Sequence, residues 1–200
     1  MYCGTNPTAL LNQRQLAKAL FRLMEQKPFS AISVSELCRA AAVSRQTFYS
    51  LFASKESVVT YTLTERCCYS PETAGEDACP SLRQMCAEYG DYLRSHADFL
   101  RTLVENDIIY LLYDSLYDSL LDCGCFLSDM SSEIRAYAAD FMAGGFTSIA
   151  RAYLRTNGST DGALLDDLIF DLSTAHCFQM RNEELGMRSV PHRKFLIPHS

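Results

Sequence analysis

Arg45, Gln46, Thr47, Tyr49 and Ser50 stand within one short segment and share one chemistry. An arginine donates two hydrogen bonds to a guanine edge, and a glutamine pairs with an adenine edge. The hydroxyls of Thr, Tyr and Ser suit phosphate oxygens or a thymine edge. Lys55 follows a little further on, at the start of the next helical stretch, where free N–H groups already favour a phosphate. Such a set reads a duplex only from the outer face of a rigid helix whose inner face is locked to other helices. Val43, Phe48 and Phe52 supply that inner face.

The elements that must hold this helix are legible as helical periods and caps. Asn6-Pro7 predicts an N-cap followed by proline at the first helical position. Leu16, Ala17, Leu20, Phe21, Leu23 and Met24 then recur at three and four residues, giving an apolar face to about Gln26. Lys27-Pro28-Phe29 stops that helix. Ser33-Val34-Ser35-Glu36 has the capping-box form and opens a short helix through Ala41. Ser44 caps a third from Arg45 to about Phe52, and Ser54 a fourth from Lys55 to about Tyr69. A long helix followed by two short ones across a tight turn is a helix-turn-helix pattern.

Residues Ile32 to Leu37 and Ala41 to Glu56, with Val43-Ser44-Arg45-Gln46-Thr47-Phe48-Tyr49 at their centre, resemble the DNA-binding domain of the tetracycline-repressor (TetR) family. The similarity covers about residues 9–65. It implies an all-α protein: an N-terminal three-helix helix-turn-helix domain over 1–70 and a C-terminal helical regulatory and dimerisation domain over 71–200. It implies a homodimer that reads a palindromic operator in double-stranded DNA, most often as a repressor, under control of a small-molecule effector. By resemblance, Ser33 and Ser44 match cap and phosphate-contact positions. Arg45, Gln46 and Thr47 match base-facing positions, and Tyr49 and Lys55 match phosphate contacts. Ser50 joins them on the polar face. Ala42 stands where the family has a turn glycine; a positive φ there costs an alanine about 1 kcal/mol. Leu51 replaces a frequent histidine, and Tyr153 stands where many members have tryptophan.

The remainder of the chain is also helical by period, over about 81–95, 97–122, 131–156 and 161–180, with a break expected near Asn106. Residues 71–80, with two prolines, a glycine and three acids, predict the linker. Tyr89, Tyr92, Phe99, Tyr110, Tyr113 and Tyr117 are candidate walls of an effector pocket, because such pockets are mostly apolar with few polar groups. By resemblance, the helices holding Phe141, Gly145 and Ile149 and then Leu165, Leu168, Ile169 and Leu172 pair with their symmetry mates as a four-helix bundle. Gly144-Gly145 would admit a close partner helix.

Charge agrees with this division. The whole chain of 200 residues carries −6, which alone argues against a nucleic-acid partner. Residues 1–70, however, hold eight Lys or Arg against four Glu, a balance of +4, which leaves −10 on the rest. The 48% hydrophobic content excludes disorder. The longest apolar run, Ile108 to Tyr113, falls short of the about 18 residues a membrane span needs. With no signal-peptide pattern at the N-terminus, the reading places the chain in the cytoplasm. The nine cysteines form no ligand set of structural-zinc spacing, so neither a metal nor a cofactor is expected. Cys67-Cys68 and Cys123/Cys125 leave a thiol or metal sensor as one alternative; a coactivator working through a protein partner is another. No nucleophile–base pair or phosphate-binding glycine loop appears, which argues against an enzyme.

Overall fold

The computed structural model describes residues 4–66, 81–124, 126–156 and 162–174, and these are helical with no strand among them. In chain order the helices are α1 Pro7–Met24, α2 Val34–Ala40, α3 Arg45–Leu51, α4 Lys55–Arg66, α5 Leu82–Ser95, α6 Ala97–Glu105, α7 Tyr110–Asp122, α8 Ser132–Arg155 and α9 Gly162–Ser173. A single 3₁₀ turn, Phe29–Ala31, joins α1 to α2. The predicted linker at 71–80 lies outside the described residues, as does the chain after residue 174.

The caps form as the sequence predicts. The Asn6 side chain accepts from the Thr8 N–H at 3.0 Å, Ser33 from Glu36 at 3.2 Å, and Ser44 from Thr47 at 3.0 Å. Each satisfies one N–H that the first helical turn leaves without a partner. The buried stripe of α1, including Leu16, Ala17, Leu20 and Met24, belongs with Leu37, Phe48, Phe52 and Val58 to one core that continues into the later helices.

The turn between α2 and α3 closes by two reverse hydrogen bonds. The Val43 N–H donates to the Cys38 carbonyl at 2.9 Å and the Ala42 N–H to that of Arg39 at 3.3 Å. This Schellman geometry requires a left-handed residue just past the helix end, and Ala42 takes it with φ 54°. The expected consequence is that Ala42→Gly raises stability by about 1 kcal/mol, read from thermal or urea unfolding. The same arrangement ends α6: Ile108 N–H to Leu103 O at 3.0 Å, Asp107 N–H to Val104 O at 3.2 Å, and Asp107 at φ 57°. That is the break expected near Asn106.

In the C-terminal unit α7 packs along α8 and α9 along α5. Gly90 makes the second pairing close: a Cβ there would lie 2.0 Å from an Asp166 carboxylate oxygen. Arg94 holds that carboxylate at 2.9 Å and also bonds Asp91 and the Gly162 carbonyl.

The two units meet at specific contacts. The rings of Phe21 and Phe99 lie 4.9 Å apart between α1 and α6. The Phe29 N–H donates to the Asn106 side-chain oxygen at 2.7 Å. Asn106 is itself anchored by its amide nitrogen to the Thr102 carbonyl at 2.9 Å.

Candidate nucleic-acid interface and helical cavity

α3 divides its seven residues cleanly. Phe48 and Leu51 are buried, and the Phe48 ring sits 6.1 Å from that of Phe52. Arg45, Gln46, Tyr49 and Ser50 are exposed, and Thr47 is half-buried. The structure thus brings the expected base-facing and phosphate-facing side chains onto one outer surface. Some hydroxyls have local duties as well. The Ser44 and Thr47 hydroxyls lie 2.8 Å apart, and the Ser50 hydroxyl donates to the Thr47 carbonyl at 2.7 Å. Ser33 stays exposed beside the start of α2.

Lys55 occupies a place the sequence did not disclose. Its Nζ donates to the carbonyls of Phe29 at 2.6 Å and Ile32 at 3.0 Å, and it stands 4.2 Å from the Phe29 ring centroid. Two of the three ammonium hydrogens thus go to the backbone of the α1–α2 connection. Lys55 fastens the N-terminus of α4 to that connection, and any phosphate contact falls to its remaining N–H. Phe29 becomes a junction: its N–H reaches Asn106, while its carbonyl and ring reach Lys55. A salt bridge from Lys27 to Glu36 braces the same connection, and that hydrogen-bonded ammonium holds the Glu36 carboxyl below its ordinary value.

Between α5 and α7 lies a cavity of about 90 Å³ that opens to solvent. One face of α5 supplies Met85, Glu88, Tyr89 and Tyr92. One face of α7 supplies Leu112, Leu116 and Leu120 with Ser115, Ser119 and Cys123. Leu63 of α4 and Phe146 of α8 complete the wall. Tyr89 stacks on Phe146 at 4.7 Å, and its hydroxyl donates to the Phe146 carbonyl at 2.8 Å.

Of the six aromatic candidates, Tyr89 and Tyr92 line this space and four do not. Phe99 packs on Phe21 at the junction of the two units. Tyr110 is exposed. Tyr113 donates to Asp140 of α8, and that bond pushes its phenol up to about 12. Tyr117 stacks on Tyr113 at 6.2 Å. The reason is angular: residues 110, 113 and 117 form one stripe of α7, and 112, 116 and 120 form another turned toward the cavity. The i, i+3, i+4 spacing of 85, 88, 89 and 92 and of 112, 115, 116, 119 and 120 was the available signal for the wall.

The expected pairing face is split in a similar way. Phe141 is 74% exposed, and Tyr137, one turn earlier, is 70% exposed. Leu168 is 44% exposed, Gly145 is exposed, and Ile149 and Leu172 are half-buried. Leu165 and Ile169, by contrast, are buried in the core of their own subunit. They correct the expectation for α9, whose outward stripe is Leu164 and Leu168. A Cβ on Gly144 or Gly145 would meet nothing within 4 Å, so the α8 face is open there.

Cys38 and Cys86 are buried, and burial pushes both thiols up. Cys67, Cys68, Cys125 and Cys177 lie outside the described residues. Among the described residues no three His, Cys, Asp or Glu side chains gather as a metal site, and no helix is long and apolar enough to cross a membrane.

A capped, outward-facing α3 behind a Schellman turn, in a chain whose regular elements among the described residues are helices, is the geometry of a helix-turn-helix domain. Residues 16–61 match the family model of the tetR family of bacterial regulatory proteins. The chain is 53% identical over 38 residues to the HTH-type transcriptional regulator EthR of Mycolicibacterium smegmatis, covering 19% of this chain and 18% of that protein. It is 34% identical over 53 residues to DhaS of Lactococcus lactis, named an HTH-type activator of the dhaKLM operon, covering 26% of this chain and 28% of DhaS. Both matches thus span less than a third of those relatives' length. Over the whole fold, the chain is similar to Lin0861 from Listeria innocua, with TM-score 0.73 and 19% identity over 90% of this chain and 97% of that one. It is also similar to the solved dihydroxyacetone kinase operon activator DhaS, with TM-score 0.51 and 20% identity over 84% and 96% of the two chains.

Proposed function

We propose that this protein is a sequence-specific DNA-binding transcriptional regulator. It acts as a homodimer on a palindromic operator, and a small molecule in the α5–α7 cavity sets its operator affinity. The polar outer face of α3, held by the Ser44 cap and the buried Phe48, carries the DNA-binding part of this reading. Leu63 in the cavity wall belongs to α4, the helix whose other end is fastened to the α1–α2 connection. A ligand there acts on DNA affinity only insofar as it binds two arrangements of α4 unequally. Repression is the family's commonest mode. A relative matching over this domain is named an activator.

Operator selection from a random duplex library followed by titration tests the reading. Gln46→Ala is expected to cost about 1–3 kcal/mol on the selected sequence and to relax preference at a single base position. Tyr49→Phe is expected to weaken all sequences about equally. Absence of any duplex binding at low salt overturns the proposal, since the phosphate contribution is then at its strongest.

A further inference from the structure

We propose that Asn106, on the C-terminal unit, determines which spacing between operator half-sites the dimer accepts. This rests on the reading of the chain as a dimeric operator-binding regulator and adds the residue that fixes the architecture of the operator.

A dimer discriminates half-site spacing only as far as each reading head is held in one orientation on the body that carries it. One added base pair carries a half-site about 3.4 Å along the duplex and about a tenth of a turn around it. A loosely hung head follows that change at little cost, and a fixed head does not. The residues that fix the head are therefore specificity determinants even where they touch no base.

Head and body meet through α4, whose Leu63 reaches the cavity wall, and through the rings of Phe21 and Phe99 at 4.9 Å. Ring contact is not directional and tolerates sliding. The hydrogen bond from the Phe29 N–H to the Asn106 Oδ1, at 2.7 Å, is directional. Phe29 is 4% exposed and opens the 3₁₀ turn, so its N–H has no acceptor within that turn. Asn106 provides one from 77 residues away.

Asn106 does not move with the head. Its Nδ2 donates to the Thr102 carbonyl at 2.9 Å, and its backbone N–H donates to the same carbonyl at 3.2 Å. The left-handed Asp107 follows directly and closes α6. One end of the amide is thus tied to the body and the other to the head. On the head side, the Phe29 carbonyl accepts from Lys55 at the start of α4, and Lys27 on the same connection pairs with Glu36 of α2. The helices on either side of α3 in the chain are therefore both tied to the connection that Asn106 holds. Without the acceptor, the Phe29 N–H is left unpaired in a buried place, and a shift of the head that gives it to water becomes the favoured response.

The test uses the full chain, the selected operator, versions with one or two base pairs added or removed between the half-sites, and a duplex holding a single half-site. The wild type is expected to lose about tenfold or more in affinity on the respaced duplexes. Asn106→Ala is expected to bind the native operator about tenfold more weakly, to match the wild type on the single half-site, and to vary by less than about threefold across the spacings. Asn106→Asp keeps an oxygen acceptor and is expected to keep the wild-type profile. A general loss of structure lowers half-site and full-operator binding alike, and that outcome overturns the inference. So does an Asn106→Ala profile as steep as that of the wild type, or an Asn106→Asp profile as flat as that of the alanine variant. The Phe29 amide of the wild type is expected to exchange slowly with solvent; fast exchange overturns the inference whether or not either variant folds. A wild type that binds duplex but is indifferent to spacing overturns it too, and leaves the regulator reading standing. A wild type that binds no duplex overturns that reading itself.

Discussion

The double substitution Phe141→Glu with Leu168→Glu is expected to yield a folded monomer whose operator affinity is lower by about 10²-fold or more. Both side chains stand in solvent in the isolated subunit, Phe141 on α8 and Leu168 on α9. Tyr137 and Ile134 on α8 and Leu164 on α9 are exposed as well, and the two helices touch. A soluble protein seldom leaves so many large apolar groups in water unless another surface covers them. In a two-fold interface each residue appears twice, so the double variant would bring four carboxylates into an apolar contact. The subunit core is untouched, because Leu165 and Ile169 rather than Leu168 fill it. Under the proposed function, joining two reading heads would make the second half-site contact intramolecular, and that gain would disappear with the dimer. Sedimentation equilibrium and operator titration check both halves of the expectation. A variant that remains dimeric refutes this placement of the interface.

Phe48→Ala is expected to destabilise the N-terminal unit by about 3–5 kcal/mol. Phe48 is fully buried, with Tyr49 and Phe52 rings 5.2 and 6.1 Å from its own. Its removal leaves a void beneath the helix that presents Arg45 and Gln46, so operator binding falls with the folded fraction. The adjacent Tyr49→Ala is the control. Tyr49 is 53% exposed, and its loss is expected to change stability by no more than about 0.5 kcal/mol while weakening DNA binding. Urea unfolding of the two variants separates the inner face of α3 from the outer one.

The parts of this fold that depend on local chemistry were legible from the chain alone. Ser33 and Ser44 cap because a hydroxyl there meets an N–H two or three residues on, and no distant residue is involved. The left-handed Ala42 and the break at Asn106 follow from the same local economy of helix ends. The rotation of α9 was not legible. Leu164-Leu165 and Leu168-Ile169 are adjacent apolar pairs, and either member could face inward. The choice is made by a distant residue: Gly90 leaves a notch in α5, Asp166 enters it and Arg94 clamps it, which turns Leu165 and Ile169 into the core. The position of Lys55 has a similar origin. Its partners are carbonyls of the 3₁₀ turn some two dozen residues earlier in the chain. On α7 the tyrosines attract attention as aromatics, yet the leucine and serine stripe faces the cavity, because α8 supplies Asp140 to hold Tyr113 outside it.

The Phe29 junction joins Asn106 of the C-terminal unit to Lys55 at the head of α4. Any free energy that passes through it runs both ways, because coupling between two binding sites is reciprocal. Under the proposed function, operator DNA is then itself an effector of the cavity: a duplex that lowers small-molecule affinity by some factor is released by that molecule by the same factor. The protein seated on its operator and the protein free in solution would therefore differ in the concentration of small molecule to which they respond. The regulator's threshold would be a property of the bound pair, set partly by the sequence of the operator it occupies.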